Sequence, residues 1–139
     1  MSGTKITAAQ MRRIRKALDT VPFARLLGIE LDELGSGTAR LGLDVRRELK
    51  QNHGVVHGGA IASLIDTATA FAILSLLEPA EKVTTVDLTI SYLRPVTDGR
   101  MTAVAKVLRA GRRLLVVSAE VFGRDDKLTA TALSTYVRL

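Results

Sequence analysis

The sequence predicts an α+β domain in which an antiparallel sheet curls around one long buried helix. Three observations predict it: an apolar run from residue 58 to 77, alternating apolar and polar segments after residue 84, and short connections between those segments. Because parallel neighbours need long crossovers, strands joined by short turns are expected to pair antiparallel. A helix that is apolar on nearly every face is buried, and the sheet is the surface that can bury it.

The composition fits one domain over residues 1–139, with 47% apolar residues to form a core. The absence of cysteine excludes disulfides and thiolate metal sites. Residues 1–5 lead into a charged helix rather than an apolar signal core, so we expect a soluble cytoplasmic protein. The net charge of +6 favours anionic partners, such as nucleic acid, membrane surfaces or phosphorylated small molecules, with a solvated basic surface as the alternative.

A helical extension is expected over residues 1–20, ahead of the sheet. Thr7 and Gln10 fit a capping box, in which each side chain bonds the other's backbone N–H. A further turn is expected from Pro22 to Leu27, stopped by Gly28. About six strands then follow by their alternation, the last four as a meander around the sheet. The expected strands are residues 29–32, 38–44, 85–92, 101–108, 114–122 and 128–137.

The long helix carries one anomalous residue, Asp66, which is the only fully charged side chain in residues 51–77. An unpaired buried carboxylate is costly, so Asp66 must be hydrogen-bonded, neutralised or facing a polar cleft. An isolated Asp of this kind is more often structural, bonded to nearby backbone or to Thr69. Its charge and the polar residues around it argue against a membrane span, which the length of the run would allow.

A glycine-rich polar motif precedes this helix and changes the interpretation of Asp66. Gly58 and Gly59 permit close approach to a helix N-terminus, where free N–H groups and the dipole favour negative charge. Such donors can form an oxyanion hole, and Gln51 and His57 add polar side chains beside it. We therefore interpret Asp66 as a base or nucleophile acting with these donors; a tight loop-to-helix turn is the structural alternative.

The spacing of these groups predicts that one chain does not complete the site. Asp66 lies eight residues beyond Gly58, which is about 12 Å along the axis of one helix. A substrate carbonyl cannot contact both residues within one chain. Two antiparallel copies would place each Asp66 near the other's Gly58, so we predict a homodimer with two shared sites.

Residues 54–66 (Gly-Val-Val-His-Gly-Gly-Ala-Ile-Ala-Ser-Leu-Ile-Asp) resemble the signature of hotdog-fold thioesterases of the PaaI-like, 4-hydroxybenzoyl-CoA thioesterase superfamily. The similarity extends to residues 23–31, 86–95 and 111–113. It implies a hotdog fold, with the curved sheet wrapped around the central helix, and a homodimer or a dimer of dimers. It also implies hydrolysis of acyl-CoA or aryl-CoA thioesters without a metal or other cofactor, coenzyme A being part of the substrate.

The resemblance implies a role for five residues. Asp66 falls on the family's catalytic acid, Gly58 on the residue whose N–H forms the oxyanion hole, and His57 on the motif histidine. Gln51 falls on the Asn or Gln found six residues before that histidine. Thr85 best matches a Ser or Thr that holds the attacking water in some members.

Further residues are candidates for substrate binding. Asn52 is one place out of register with Gln51 and is a backup for it; Thr84 is the alternative to Thr85. Gly59 shares the helix N-terminus with Gly58. Basic side chains are expected to contact the phosphates of coenzyme A: Arg94, Arg112 and Arg113.

Other functions compete with hydrolysis. A hotdog protein can bind acyl-CoA without hydrolysing it, because a fold does not fix a function. A dehydratase on the same fold would need a second histidine that acts together with an aspartate, and the sequence has no histidine in such a position. Nucleic-acid binding is disfavoured by an aromatic content of 4% and the lack of a helix-turn-helix pattern. Aryl, short-chain and medium-chain acyl groups are all candidates for the acyl part of the substrate.

Overall fold

The computed structural model describes residues 5–139, so the first four residues of the predicted helical extension lie outside the described part of the chain. Helix α1 (Ala8–Asp19) begins with the predicted capping box: the Gln10 N–H donates to the Thr7 hydroxyl, and the Thr7 N–H donates to Gln10 Oε1. Helix α2 (Pro22–Leu27) ends at Gly28, whose φ of +82° is the left-handed conformation expected of a helix-terminating glycine. Both predictions are confirmed.

The described chain contains an antiparallel sheet of six strands, curved around one long helix, which confirms the predicted α+β class. The connection between β2 and the long helix includes a short 3₁₀ turn, Arg47–Leu49. The remaining elements are β1 (Glu30–Gly35), β2 (Thr38–Asp44), α3 (Gly58–Leu74), β3 (Val83–Tyr92), β4 (Arg100–Ala110), β5 (Leu114–Phe122) and β6 (Leu128–Arg138).

The order of the strands, β1-β2-β4-β5-β6-β3, corrects the predicted four-strand meander. Of the last four strands, only β4, β5 and β6 follow one another across the sheet; β3 pairs with β6 and forms an edge. The connection from β3 to β4 has seven residues, 93–99. An extended chain of that length spans about 23 Å, against about 14 Å for three strand spacings, so it can pass two strands. A short connection therefore does not oblige its strands to pair.

Helix α3 packs on the inner face of the sheet and supplies much of the core. It ends at Leu74, three residues earlier than predicted, because the N–H groups of Leu76 and Leu77 bond three residues back as turns. The Ser75 hydroxyl accepts a bond of 2.7 Å from the Gly37 N–H, which ties this end of α3 to the β1–β2 turn. No helix in residues 5–139 is long and apolar enough to cross a membrane. Fully buried α3 residues are Leu64, Ile65, Ala68, Thr69, Ala72 and Ile73.

Candidate active site

Asp66 lies midway along α3, partly buried, beneath strands β3 and β6. Its Oδ1 accepts two hydrogen bonds, one from the Thr85 hydroxyl at 2.9 Å and one from the Tyr136 hydroxyl at 3.2 Å. No group within residues 5–139 donates a hydrogen bond to Oδ2. The carboxylate is therefore held through one oxygen and open at the other.

Tyr136 on β6 is a site residue that the sequence patterns did not identify. It is only 2% exposed, and its hydroxyl lies 2.8 Å from the Asp66 carbonyl oxygen and 2.7 Å from the Thr69 hydroxyl. Burial of the phenol, together with the nearby charge of Asp66, raises the pKa of Tyr136 to about 12. A signal was present in the sequence, since a buried tyrosine needs a partner for its hydroxyl. Alternation places it on the core face of β6 after three small residues, Ala130, Ala132 and Ser134.

The raised pKa of Tyr136 predicts that stability declines at high pH. The folded-state pKa is about 12, above the value of about 10 for an unperturbed tyrosine. The contribution of the protonated phenol to stability is therefore complete below about pH 10 and is lost as the pH rises toward 12; at its largest it is about 3 kcal/mol. Tyrosinate absorbance measured on Tyr92→Phe, which leaves Tyr136 as the single tyrosine of the chain, checks the shift. A titration midpoint near 10, in protein that circular dichroism shows to be folded, would contradict it.

The second group of candidate residues lies at the N-terminus of α3. His57 is the N-cap, and its Nδ1 accepts a hydrogen bond of 2.8 Å from the Gly59 N–H. Because Nδ1 accepts, the proton of a neutral ring must reside on Nε2. The Gly59 N–H is thus engaged in capping, whereas the Gly58 N–H has no partner in the described chain. Of the two glycine donors considered from sequence, Gly58 is the one available to bind an oxyanion.

A cleft of about 300 Å³ opens beside Gly58, lined on its polar side by Gln51, Tyr92 and Arg94. The Tyr92 hydroxyl donates to the Gly58 carbonyl oxygen at 2.8 Å. A Cβ atom on Gly58 would lie only 3.3 Å from the Tyr92 ring. The aromatic ring therefore packs closely against Gly58, and its hydroxyl holds the Gly58–Gly59 peptide at the start of α3. Tyr92, like Tyr136, was not among the residues selected from sequence.

One chain does not bring the two groups of residues together. Thr85 pairs with Tyr136 at one end of β3, and Tyr92 pairs with Ala130 at the other. Tyr92 lies seven positions beyond Thr85 on the same strand, which is about 23 Å. The predicted site residues therefore divide into an acid end, with Asp66 and Thr85, and an oxyanion end, with Gly58, His57, Gln51 and Arg94.

The remaining candidates are exposed and lie near these two ends. Asn52 borders an open depression together with Gln51. Arg112 and Arg113 lie in the β4–β5 turn, near the acid end, where the Arg113 carbonyl accepts from the Arg138 N–H. Thr84 is exposed on β3 and makes no side-chain hydrogen bond among residues 5–139. Within that same range, no three His, Asp or Glu side chains converge to bind a metal ion.

Comparison with known proteins shows similarity over most of the chain. The sequence profile of the Thioesterase superfamily matches residues 53–130, which include His57, Gly58 and Asp66. The medium/long-chain acyl-CoA thioesterase YigI of Salmonella typhimurium is 30% identical, over 84% of this chain and 85% of its own length.

Solved structures show the same similarity. A thioesterase family protein from Silicibacter pomeroyi has a TM-score of 0.88 at 30% identity, covering 94% of this chain and 98% of that one. The PaaI protein from the phenylacetic acid degradation operon of E. coli has a TM-score of 0.88 at 26% identity, covering 96% of each chain. The hotdog fold inferred from the sequence is confirmed by these structures.

Proposed function

This chain belongs to the thioesterase superfamily and is a thioester hydrolase, and we propose that it hydrolyses acyl-CoA or aryl-CoA thioesters to the free acid and coenzyme A. The observation that carries the proposal is the carboxylate of Asp66, which is fixed at Oδ1 and open at Oδ2 in a helix with no other charged side chain. The name of the relative YigI supports an acyl-CoA substrate. Asp66 acts as base or nucleophile, and the Gly58 N–H binds the oxyanion.

The proposed reaction begins with polarisation of the thioester carbonyl by the Gly58 N–H and the dipole of α3. In the general-base route, Asp66 takes a proton from water as the water oxygen bonds the carbonyl carbon. The tetrahedral oxyanion collapses, the C–S bond breaks, and the proton passes to the departing thiolate. In the nucleophilic route, Asp66 attacks the same carbon, releases the thiolate, and leaves an anhydride that water hydrolyses.

In the proposed mechanism, other residues orient the substrate and the attacking water. His57 presents Nε2–H beside the helix N-terminus and, with Gln51, orients the carbonyl and the departing thiolate. The Thr85 hydroxyl donates a hydrogen bond to Asp66. Its oxygen keeps lone pairs that can accept a hydrogen bond from the attacking water. Basic and polar residues around the two ends bind the rest of the coenzyme: Asn52, Arg94, Arg112 and Arg113. Gly59, whose N–H is bonded to His57, contributes only close approach to the helix N-terminus.

We further propose that the chain forms a homodimer through the edge of β3. This strand has a neighbour on one side only within the described sheet, and Val86 and Tyr92 on it are 59% and 51% exposed. An unprotected edge strand is a template for another chain. Antiparallel pairing of two β3 strands about a two-fold axis places the acid end of one subunit beside the oxyanion end of its partner. Exposed Leu114 and Leu133 on the outer sheet face support a dimer of dimers.

The shared site predicts that two inactive variants restore each other. Asp66→Asn removes the acid, and Gly58→Pro removes the oxyanion donor, so each homodimer is expected to be nearly inactive. In a mixed dimer, one site combines the intact Asp66 of one chain with the intact Gly58 of the other. Refolding equal amounts together should recover about a quarter of wild-type thiol release, since half the dimers are mixed and each has one working site.

The mixed-dimer experiment needs controls. Sedimentation of each variant alone should show the same dimer as the wild type. Absence of recovery in a mixture that sedimentation and mass analysis show to contain mixed dimers would mean that each chain holds a complete site. A thiol-release assay of the wild type on an acyl-CoA panel tests the reaction itself; binding of acyl-CoA without thiol release would replace hydrolysis by a binding function.

A further inference from the structure

We propose that Tyr136 is a positioning residue which, with Thr85, fixes Oδ1 of Asp66 and so makes Oδ2 the oxygen that acts on the substrate. The inference rests on the proposed function, in which Asp66 is the base or nucleophile. It concerns a residue that lies outside the matched family range of 53–130. It also assigns the reaction to one of the two carboxylate oxygens, which the proposed function does not.

The hydrogen bonds around the phenol point to this role. The Tyr136 hydroxyl has one proton and lies within 3.2 Å of three oxygens. One of them is the Thr69 hydroxyl, whose single proton has two acceptors in reach, the phenol oxygen at 2.7 Å and the Asp66 carbonyl oxygen at 3.1 Å. When Thr69 donates along the shorter contact, the Tyr136 proton is directed at the other two oxygens, the carbonyl oxygen and Oδ1, which both belong to Asp66. The phenol therefore holds the backbone and the side chain of the same residue.

The two donors to Oδ1 lie on paired strands, Tyr136 in the core on β6 and Thr85 on the edge strand β3 beside a shift in register. Tyr136 and Thr85 lie opposite each other in the β3–β6 pair, so their hydroxyls are positioned by the same backbone ladder. Tyr136 and Thr69 are 2% and 0% exposed, which leaves them little freedom to move. Reacting groups must be held within a narrow range of geometry, and buried supporting residues provide that restraint.

The unequal bonding of the two carboxylate oxygens selects the reactive one. Oδ1 accepts a hydrogen bond from Thr85 at 2.9 Å and shares the Tyr136 proton with the Asp66 carbonyl oxygen, so its lone pairs and part of its charge are already engaged. Oδ2 has no such partner in the described chain. An oxygen free of donors is the better acceptor for a proton from water and the better nucleophile. Loss of the Tyr136 donor would let the carboxylate rotate and reduce the fraction of time that Oδ2 faces the substrate.

The test compares Tyr136→Phe with a matched control on the same strand. Tyr136→Phe keeps the ring and removes the hydroxyl; we expect kcat to fall about tenfold, the effect of one lost hydrogen bond, with KM little changed. The control is Ser134→Ala, two residues earlier on the same face, which removes a fully buried hydroxyl that bonds the Asp87 carbonyl at 3.0 Å. The control is expected to lower the melting temperature and to keep kcat within about twofold of wild type.

A double variant shows whether Tyr136 acts through Asp66. In the Asp66→Asn background, Tyr136→Phe should lower kcat no further, because the positioned group is already absent. An unchanged kcat in folded Tyr136→Phe, or an equal loss in both backgrounds, overturns the proposal. Full activity of Asp66→Asn alone would instead refute the proposed function of Asp66.

A second variant covers the case in which Tyr136→Phe does not fold. Thr69→Val removes the hydroxyl that bonds the phenol at 2.7 Å. Without that partner the Tyr136 proton is less firmly directed at Asp66, and we expect kcat to fall about threefold with KM unchanged. A folded Thr69→Val protein with wild-type kcat would count against the proposal in the same way.

Discussion

Replacing Asp66 with asparagine is expected to lower kcat on a good acyl-CoA substrate by about 10²–10⁴-fold, the usual contribution of a positioned base. Asparagine has the shape of aspartate and keeps an Oδ1 that can accept from Thr85 and Tyr136, so the fold should be retained. The substitution removes the charge and puts an amide nitrogen, which is neither base nor nucleophile, in place of Oδ2. Thiol release measured over a range of substrate concentrations separates kcat from KM.

The matched control for this variant is Asp19→Asn, which makes the same exchange at an exposed residue ending α1. Its turnover should equal that of the wild type. If Asp66→Asn also turned over near the wild-type rate, Asp66 would be a structural residue and the proposed mechanism would be wrong.

Replacing Gly58 with proline is expected to lower kcat by about 10²–10³-fold, as the loss of one oxyanion donor does. Gly58 is the first residue of α3, a position where proline is well accepted because its missing N–H has no partner in the helix. His57 has φ −64° and ψ 135°, a conformation favoured before proline. The exchange therefore removes one backbone N–H and leaves the bonds within the helix intact.

Gly58→Ala is the control, because it adds a Cβ atom but keeps the N–H. That Cβ would lie 3.3 Å from the Tyr92 ring, so a small shift of the ring is needed and a loss of less than about tenfold is expected. Equal losses in the alanine and proline variants would assign the effect to crowding against Tyr92 rather than to the missing donor. Circular dichroism and melting of both variants establish that they are folded.

Local sequence patterns predicted the local parts of the fold correctly. The capping box of Thr7 and Gln10 and the termination at Gly28 depend on residues within one turn of each other, and the structure has both. Most strand bounds were predicted to within two residues, since alternation is a property of each strand alone. The pairing of β3 with β6 was not predicted, because hydropathy defines the faces of a strand but not its neighbours.

The candidate site likewise contains residues that a local pattern identifies and contacts that no local pattern reveals. Asp66 and Gly58 are conspicuous in sequence, one as a lone charge and the other as part of a glycine pair at a helix N-terminus. Tyr136 contacts Asp66 across 70 residues of sequence, and no local pattern gives that distance. The capping of the Gly59 N–H by His57 depends on the orientation of a ring, which the sequence does not specify. The roles of Asp66, Gly58, His57, Gln51 and Thr85 in catalysis stay predictions that the variants above test.

The pairing of β3 with β6 determines the order in which the environment of Asp66 is assembled. Strand β6 is the last element of the described chain, and it is the only neighbour of β3 in the sheet. Helix α3 can therefore pack against β2, β4 and β5 before β3 has any partner. Because long-range contacts form at the cost of closing long loops, Thr85 and Tyr136 reach Asp66 only when this last strand docks. The carboxylate of Asp66 is thus held correctly only after β6 has been synthesised and has paired with β3.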